Sequence, residues 1–175
     1  MRRVPIAVYA SLLLSTGVTV SLKKPALDPA SLPASNASMY PEPFRARVLP
    51  REKRSLGDAC GLTRIGVSQA VLMPGKESSM RHWHTHEDEF IYVLEGEVVL
   101  KTEAGEQTLR AGMCAGFKAG VEDGHQFINR SGRPAVFLAI SNRDPQDVAH
   151  YPDVDLRYNG AGAAHAFAHK DGSEY

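Results

Sequence analysis

Met80–Gly96 reads MRHWHTHEDEFIYVLEG, and this window decides the fold. It holds three of the chain's seven histidines, arranged as His82-x-His84-x4-Glu89-x6-Gly96. In a β-strand, residues i and i+2 project from one face, so His82 and His84 can enter one cavity together. Thr85 to Asp88 is short and polar enough to turn the chain. Glu89 then opens the β-prone run Phe90-Ile91-Tyr92-Val93-Leu94. Two imidazoles and a carboxylate converging from adjacent strands suit a divalent transition metal. The competing reading is a polar hairpin whose histidines face solvent, and spacing alone leaves both open.

A second segment bears on that choice. From Gly112 the chain runs GMCAGFKAGVEDGHQFIN, or Gly112-x5-Lys118-x-Gly120-x4-His125-x3-Asn129. It supplies a further candidate ligand, and its glycines suit tight turns between strands. Together the two segments resemble the cupin superfamily, whose motifs are G-x5-H-x-H-x(3,4)-E-x6-G and G-x5-P-x-G-x2-H-x3-N. The likeness covers about Ile65 to Asn142. Six residues instead of five separate Gly75 from His82, Lys118 replaces the proline, and the Gly120 to His125 gap is two residues longer. None of these departures touches a ligand position, although the altered second motif bears on the cavity mouth.

The resemblance implies an all-β fold, the double-stranded β-helix or jelly-roll barrel, and a metal held by His82, His84, Glu89 and His125. His86 is a rival, but only two residues separate it from Glu89 where the motif requires three or four. It reads as a turn residue beside the site. Asp88 adjoins Glu89, so within a strand it points to the opposite face and reads as a solvated or outer carboxylate. Three histidines and one carboxylate leave one or two positions for water or substrate, the mark of an open site. Zinc, nickel, manganese, iron and cobalt all tolerate this shell. Affinity order favours copper or nickel, but availability decides in cells.

At 175 residues the chain holds one well-buried domain with terminal arms, and not comfortably two. Lys+Arg and Asp+Glu are balanced at 20 each, which argues against nucleic acid as a partner. The local cluster Arg45, Arg47, Arg51, Lys53 and Arg54 reads as a solvated arm, with an anion contact as the lesser alternative. Cys60 and Cys114 are too few for a disulfide framework, and Cys114, in an apolar run, is expected to be buried.

Met1-Arg2-Arg3 precedes VPIAVYASLLLSTGVTVSL and Lys23-Lys24. A basic start and an apolar run look like a signal peptide, with Thr19-x-Ser21 as a weak cleavage site. Serine and threonine dilute the run too much for a membrane-spanning helix, so no membrane is expected for the mature domain. The other reading is that residues 1–22 are a non-native extension, because the sequence shared with related cupins begins near KPALDPASLPA. The protein is cytoplasmic in that case and exported in the other.

Residues 23–61 form an N-terminal arm: proline-rich to Tyr40, then one short helix between Pro41 and Ala59. Residues 62–142 carry closely spaced strand signals with turns at Ala104-Gly105 and Arg130–Pro134, the pattern of a sandwich or barrel. Residues 143–175 form a tail in which His150, Tyr151, Asp153 and Asp155 cap the barrel or cross to a second subunit. Packing on the outside is the favoured reading, because Pro152, Val154 and Leu156 alternate with the charges. RHWHxxEDEFxYVLEGE followed by HYPDVDL resembles single-domain bacterial-type cupins, some regarded as sugar-phosphate isomerases, an analogy only.

Two functions compete. One is a metal-dependent enzyme of isomerase, lyase, decarboxylase or dioxygenase type acting on a small polar, carboxylate or sugar-like molecule. The other is a non-catalytic metal-containing sensor or storage module. Its regulator form is weakened, because Lys23 to Gly61 offers no helix-turn-helix. In the barrel, Ile91 and Val93 are expected inside with the ligands, and Phe90, Tyr92 and Leu94 outside. That outer apolar face predicts a homodimer.

Overall fold

Burial alternates along Glu89–Glu95, with Ile91 and Val93 buried between exposed Phe90, Tyr92 and Leu94, as an extended strand with one face on the core requires. In the computed structural model of the chain, residues 22–160 and 166–175 are described. The leader-like stretch before Leu22 and part of the glycine- and alanine-rich tail lie outside them. Three antiparallel sheets account for the strands. The first orders β1 (Arg51–Ser55), β2 (Ile65–Leu72), β9 (Ala135–Asn142), β4 (Glu89–Glu95) and β7 (Cys114–Phe117). The second orders β12 (Phe167–Ala168), β11 (Leu156–Tyr158), β10 (Ala149–Tyr151) and β3 (Trp83–His84). The third orders β6 (Gly105–Arg110), β5 (Glu97–Thr102) and β8 (Gln126–Ile128). This is the all-β jelly-roll barrel. Among the described residues no helix is long and apolar enough to cross a membrane.

Gly96 turns the corner from β4 in the first sheet to β5 in the third. Its φ is +72°, and a Cβ there would lie 2.9 Å from Pro134 O and 3.1 Å from Ala135 Cα. Only glycine fits both the left-handed backbone and the close approach. Inward residues of the facing sheets then meet. Leu72, Ile91, Val93, Val98, Leu100, Leu109, Phe127, Ala135 and Phe137 form the barrel core. Phe90, Tyr92 and Leu94 are 41%, 38% and 38% exposed on the other face.

Asn129 locks the β8–β9 connection. It is fully buried, and its Nδ2 donates to Leu72 O at 2.7 Å and Arg133 O at 2.8 Å. Its Oδ1 accepts from the Ser131 amide and hydroxyl. The motif asparagine thus braces a turn and is no ligand.

Four expectations need correction. Between Pro41 and Ala59 there are two one-turn helices, α1 (Arg45–Val48) and α2 (Leu56–Ala59), with β1 between them. The basic cluster is therefore no free arm, although Arg45, Arg47 and Lys53 stay exposed: Arg51–Ser55 pairs residue by residue with Leu72–Ser68. Consecutive charges in REKRS hide the period of two that would have announced a strand. Cys114 is exposed, because it lies opposite Tyr92 on the outward side while Ala115 and Phe117 take the inward positions. The tail, finally, is no external packing layer, since β10 is hydrogen-bonded to β3 and completes a sheet.

Arm and tail share a second core of Tyr40, Phe44, Val48, Met80, Ala149, Tyr151 and Leu156. Arg81, 7% exposed, clasps the tail to the barrel. It donates to both oxygens of Asp153 at 2.8 and 2.6 Å and to Glu103 at 2.6 Å.

Candidate metal centre

Local strand geometry brings the four motif residues together. His84 lies in β3 and Glu89 opens β4. His82 and His125 exchange both backbone hydrogen bonds, at 3.1 and 2.8 Å, which sets their side chains next to each other. Glu89 Oε2 lies 2.7 Å from His125 Nε2, 3.6 Å from His84 Nε2 and 3.7 Å from His82 Nε2. The ligand atoms of His82, His84 and Glu89 all fall within 4.8 Å of one another. His125 does not fall in that mutual set and joins it through Glu89.

The outer contacts decide which ring nitrogen faces inward. His82 Nδ1 is 2.9 Å from Met80 O, and His84 Nδ1 is 2.6 Å from Asp147 Oδ2. A proton on each Nδ1 leaves the Nε2 lone pair pointing at Glu89, the tautomer a metal needs. Asp147 is itself buried, and its Oδ1 accepts from the amides of His86 and Glu87. The His125 ring stacks on Phe117 at 3.6 Å and 7°. His82 stacks on Tyr151 at 5.5 Å, and Tyr151 meets the Tyr40 hydroxyl at 3.2 Å.

A cation fits this donor set. Ligand atoms about 2.0–2.2 Å from a shared ion stand roughly 3–3.5 Å apart, close to the separations around Glu89. Glu89 Oε2 is buried and makes no hydrogen bond that meets distance and angle criteria, with His125 Nε2 2.7 Å away as its nearest imidazole nitrogen. A buried carboxylate oxygen without a donor is costly, and a metal ion removes that cost. His86 is exposed, with Nδ1 2.8 Å from Thr85 Oγ1, outside the candidate ligand groups. Asp88 accepts the Ala119 amide at 2.8 Å and also stands apart.

Burial, only partly opposed by the Glu89 charge, pushes the His82 pKa down to about 4, so the ring is neutral at neutral pH. Burial by itself disfavours ionised Glu89. The His125 contact and then electrostatic attraction to the surrounding imidazoles outweigh it and hold the carboxyl at about 2. Burial raises the pKa of Glu87.

Two cavities meet at the site, both lined by His84, Glu87 and Glu89. One of about 870 Å³ runs past Trp83 and Phe117 to Lys118. The other, of about 730 Å³, is walled by Lys53, Ser68, Ser141 and Arg143. Sequence reasoning missed Asp147, which acts on His84 from 63 residues away with no local signal. It also missed Phe117 as the stacking wall, and missed that Lys53, although exposed, lines the cavity from β1.

The Cupin domain family model matches residues 69–141. A sugar phosphate isomerase of the cupin superfamily from Silicibacter pomeroyi DSS-3 is 42% identical, with TM-score 0.80, and the match covers 86% of this chain and 96% of that one. A protein of Acidithiobacillus ferrooxidans, described provisionally as a sugar phosphate isomerase, is 34% identical with TM-score 0.62, covering 67% of this chain and 74% of that one. A polyketide cyclase from Streptomyces resistomycificus shares the fold at 18% identity and TM-score 0.57, covering 68% and 79%. No curated protein sequence matches the chain significantly. The barrel topology and the identity across nearly the whole Silicibacter protein lead to one conclusion: the chain belongs to the cupin superfamily.

Proposed function

We propose that this cupin is a metal-dependent enzyme, with one divalent transition metal held by His82, His84, Glu89 and His125. Its substrate is a small polar molecule, sugar-like or carboxylate-bearing, and the reaction class is isomerisation, by likeness to the Silicibacter and Acidithiobacillus proteins. The observation that carries the reading is the buried, unbonded Glu89 Oε2 among three inward imidazole nitrogens. A bound divalent ion supplies Lewis-acid polarisation of a substrate oxygen. The chain's own residues do the rest. Asp147 and Met80 O fix the two imidazole tautomers, and Phe117 shields the His125 face from water. The two cavities give a substrate approach from either side of Glu89.

Elemental analysis of protein purified without a chelating tag tests the reading. About one equivalent of transition metal per chain is expected, and none at neutral pH would sink the enzymatic reading. Acidification should also weaken the metal-free fold. His82 falls from 6.5 to about 4 on folding, so the unfolded chain binds the extra proton between those values. The stability this contributes is present above pH 6.5 and lost as pH falls toward 4, on the order of 3 kcal/mol. Glu89 acts in the same direction below 4.5. Urea unfolding of chelator-treated protein near neutrality and at mildly acid pH checks this; unchanged stability contradicts it.

We also propose a homodimer. Phe90, Tyr92 and Leu94, with Met113 47% exposed nearby, leave an apolar sheet face that the described arm and tail do not cover. Light scattering at micromolar concentration should give twice the chain mass, and Tyr92→Asp should shift it toward one. A monomeric wild type rules the dimer out.

A further inference from the structure

β1 carries cations into the barrel. Lys53 lies opposite Ala70, Ala70 opposite Phe137, and Phe137 opposite Val93. Phe137 and Val93 are core residues, so this cross-strand row faces inward, and Lys53 with it. Arg51 occupies the next inward position on the same strand. Lys53 lines the 730 Å³ cavity with His84 and Glu89. It also lines a 170 Å³ cavity with His82, Glu89 and His125.

Among the described residues the neighbouring cations have ion-pair or hydrogen-bond partners, and the Lys53 side chain has neither. Arg47 pairs with Glu77, Arg54 with Glu52, and Arg143 with Asp58. Arg51 donates to Ser78 O and Ala37 O. Among the described residues the Lys53 ammonium has neither an ion pair nor a hydrogen bond. Solvent reaches it through the cavity mouth, yet surrounding protein desolvates it, and this burial followed by Arg51 lowers its pKa. Of the acidic groups nearby, Asp58 is held by Arg143 and Asp147 by His84 and two amides, while Glu89 attracts Lys53 across the cavity without an ion pair and faces the three imidazoles.

Hydroxyls complete the wall. Ser55 pairs with Ser68 in the adjacent inward row, and Ser141 lies opposite Glu89. None of the three hydroxyls makes a hydrogen bond among the described residues. Gly66 keeps space beside Ser141, since a Cβ there would come within 3.3 Å of its Oγ. An unpaired ammonium beside free hydroxyl donors is the donor set that an oxyanion satisfies.

We propose that Lys53, with Ser55, Ser68 and Ser141, forms an oxyanion subsite that holds the phosphate or carboxylate end of the substrate. The rest of that molecule then lies toward Glu89 and the histidines, a placement that rests on the metal-centre reading above. Oxyanion capture itself needs no metal.

The test titrates inorganic phosphate and, separately, acetate into chelator-treated full-length protein, followed by amide chemical shifts. Wild type is expected to bind at least one of the two, and the tighter probe identifies phosphate or carboxylate as the recognised group. Lys53→Met should weaken that binding by about tenfold or more, while Lys53→Arg should retain most of it. Lys53→Met should melt within a few degrees of wild type and take up metal normally. Wild type that binds neither anion, or Lys53→Met that binds as wild type does, overturns the subsite. Loss of the metal-centre reading shows separately, as wild type without metal, and leaves the anion result standing.

Discussion

Glu89→Gln is expected to lose the metal while keeping the barrel. The amide matches the carboxylate in shape but carries no charge to balance a divalent ion and donates weakly to it. Removing an outer-shell partner alone reduces metal affinity by about 10–100-fold, so removing this ligand should exceed that. Thermal melting gives a second readout. Metal at about a thousand times its dissociation constant stabilises the fold by about 4 kcal/mol, and Glu89→Gln should show almost none of that shift. His82→Ala, His84→Ala and His125→Ala should also reduce metal content strongly. Exposed His86→Ala should leave it intact. A Gln variant that still holds one equivalent, or an inert His82→Ala beside a metal-free His86→Ala, would refute the ligand set.

Asn129→Ala should be the most damaging single change far from the metal. It strips the side-chain donor from Leu72 O and Arg133 O and the acceptor from the Ser131 amide and hydroxyl. A buried polar group left unpaired costs about 1–3 kcal/mol, and partial rearrangement at the turn brings the total to about 4 kcal/mol. For a domain of this size that corresponds to a fall of about 10 °C in melting temperature. A fall of only a degree or two would mean that water replaces the side chain.

Much of the barrel could be read from residues alone, and the reasons are local. Counting by twos from an inward Glu89 separates Ile91 and Val93 from Phe90, Tyr92 and Leu94, because a strand repeats every two residues. The glycine that closes the first motif marks a corner. His82, His84, Glu89 and His125 share a spacing that the structure turns into proximity. What could not be read depends on distant pairing or on a masked period. REKRS carries charge at four successive positions, so nothing distinguishes inward Arg51 and Lys53 from outward Glu52 and Arg54. Asp147 reaches His84 only after the chain returns from β9. Cys114 sits in an apolar run that carries no sign of which side faces out, and β7 offers just one face to the core.

The strand pairing also sets a timetable for synthesis. β3 finds its hydrogen-bonded neighbour only in Ala149–Tyr151, and His84 finds the carboxylate that orients it only at Asp147. As the chain emerges from the ribosome, His82, His84 and Glu89 are made early, and His125 follows. The strand that frames the first two imidazoles is made only after all four of these residues. A nascent chain thus holds donors for a metal before it holds the scaffold that aims them. On the proposed metal reading, loading the site is therefore a step that belongs after Asp147 and β10 have joined β3.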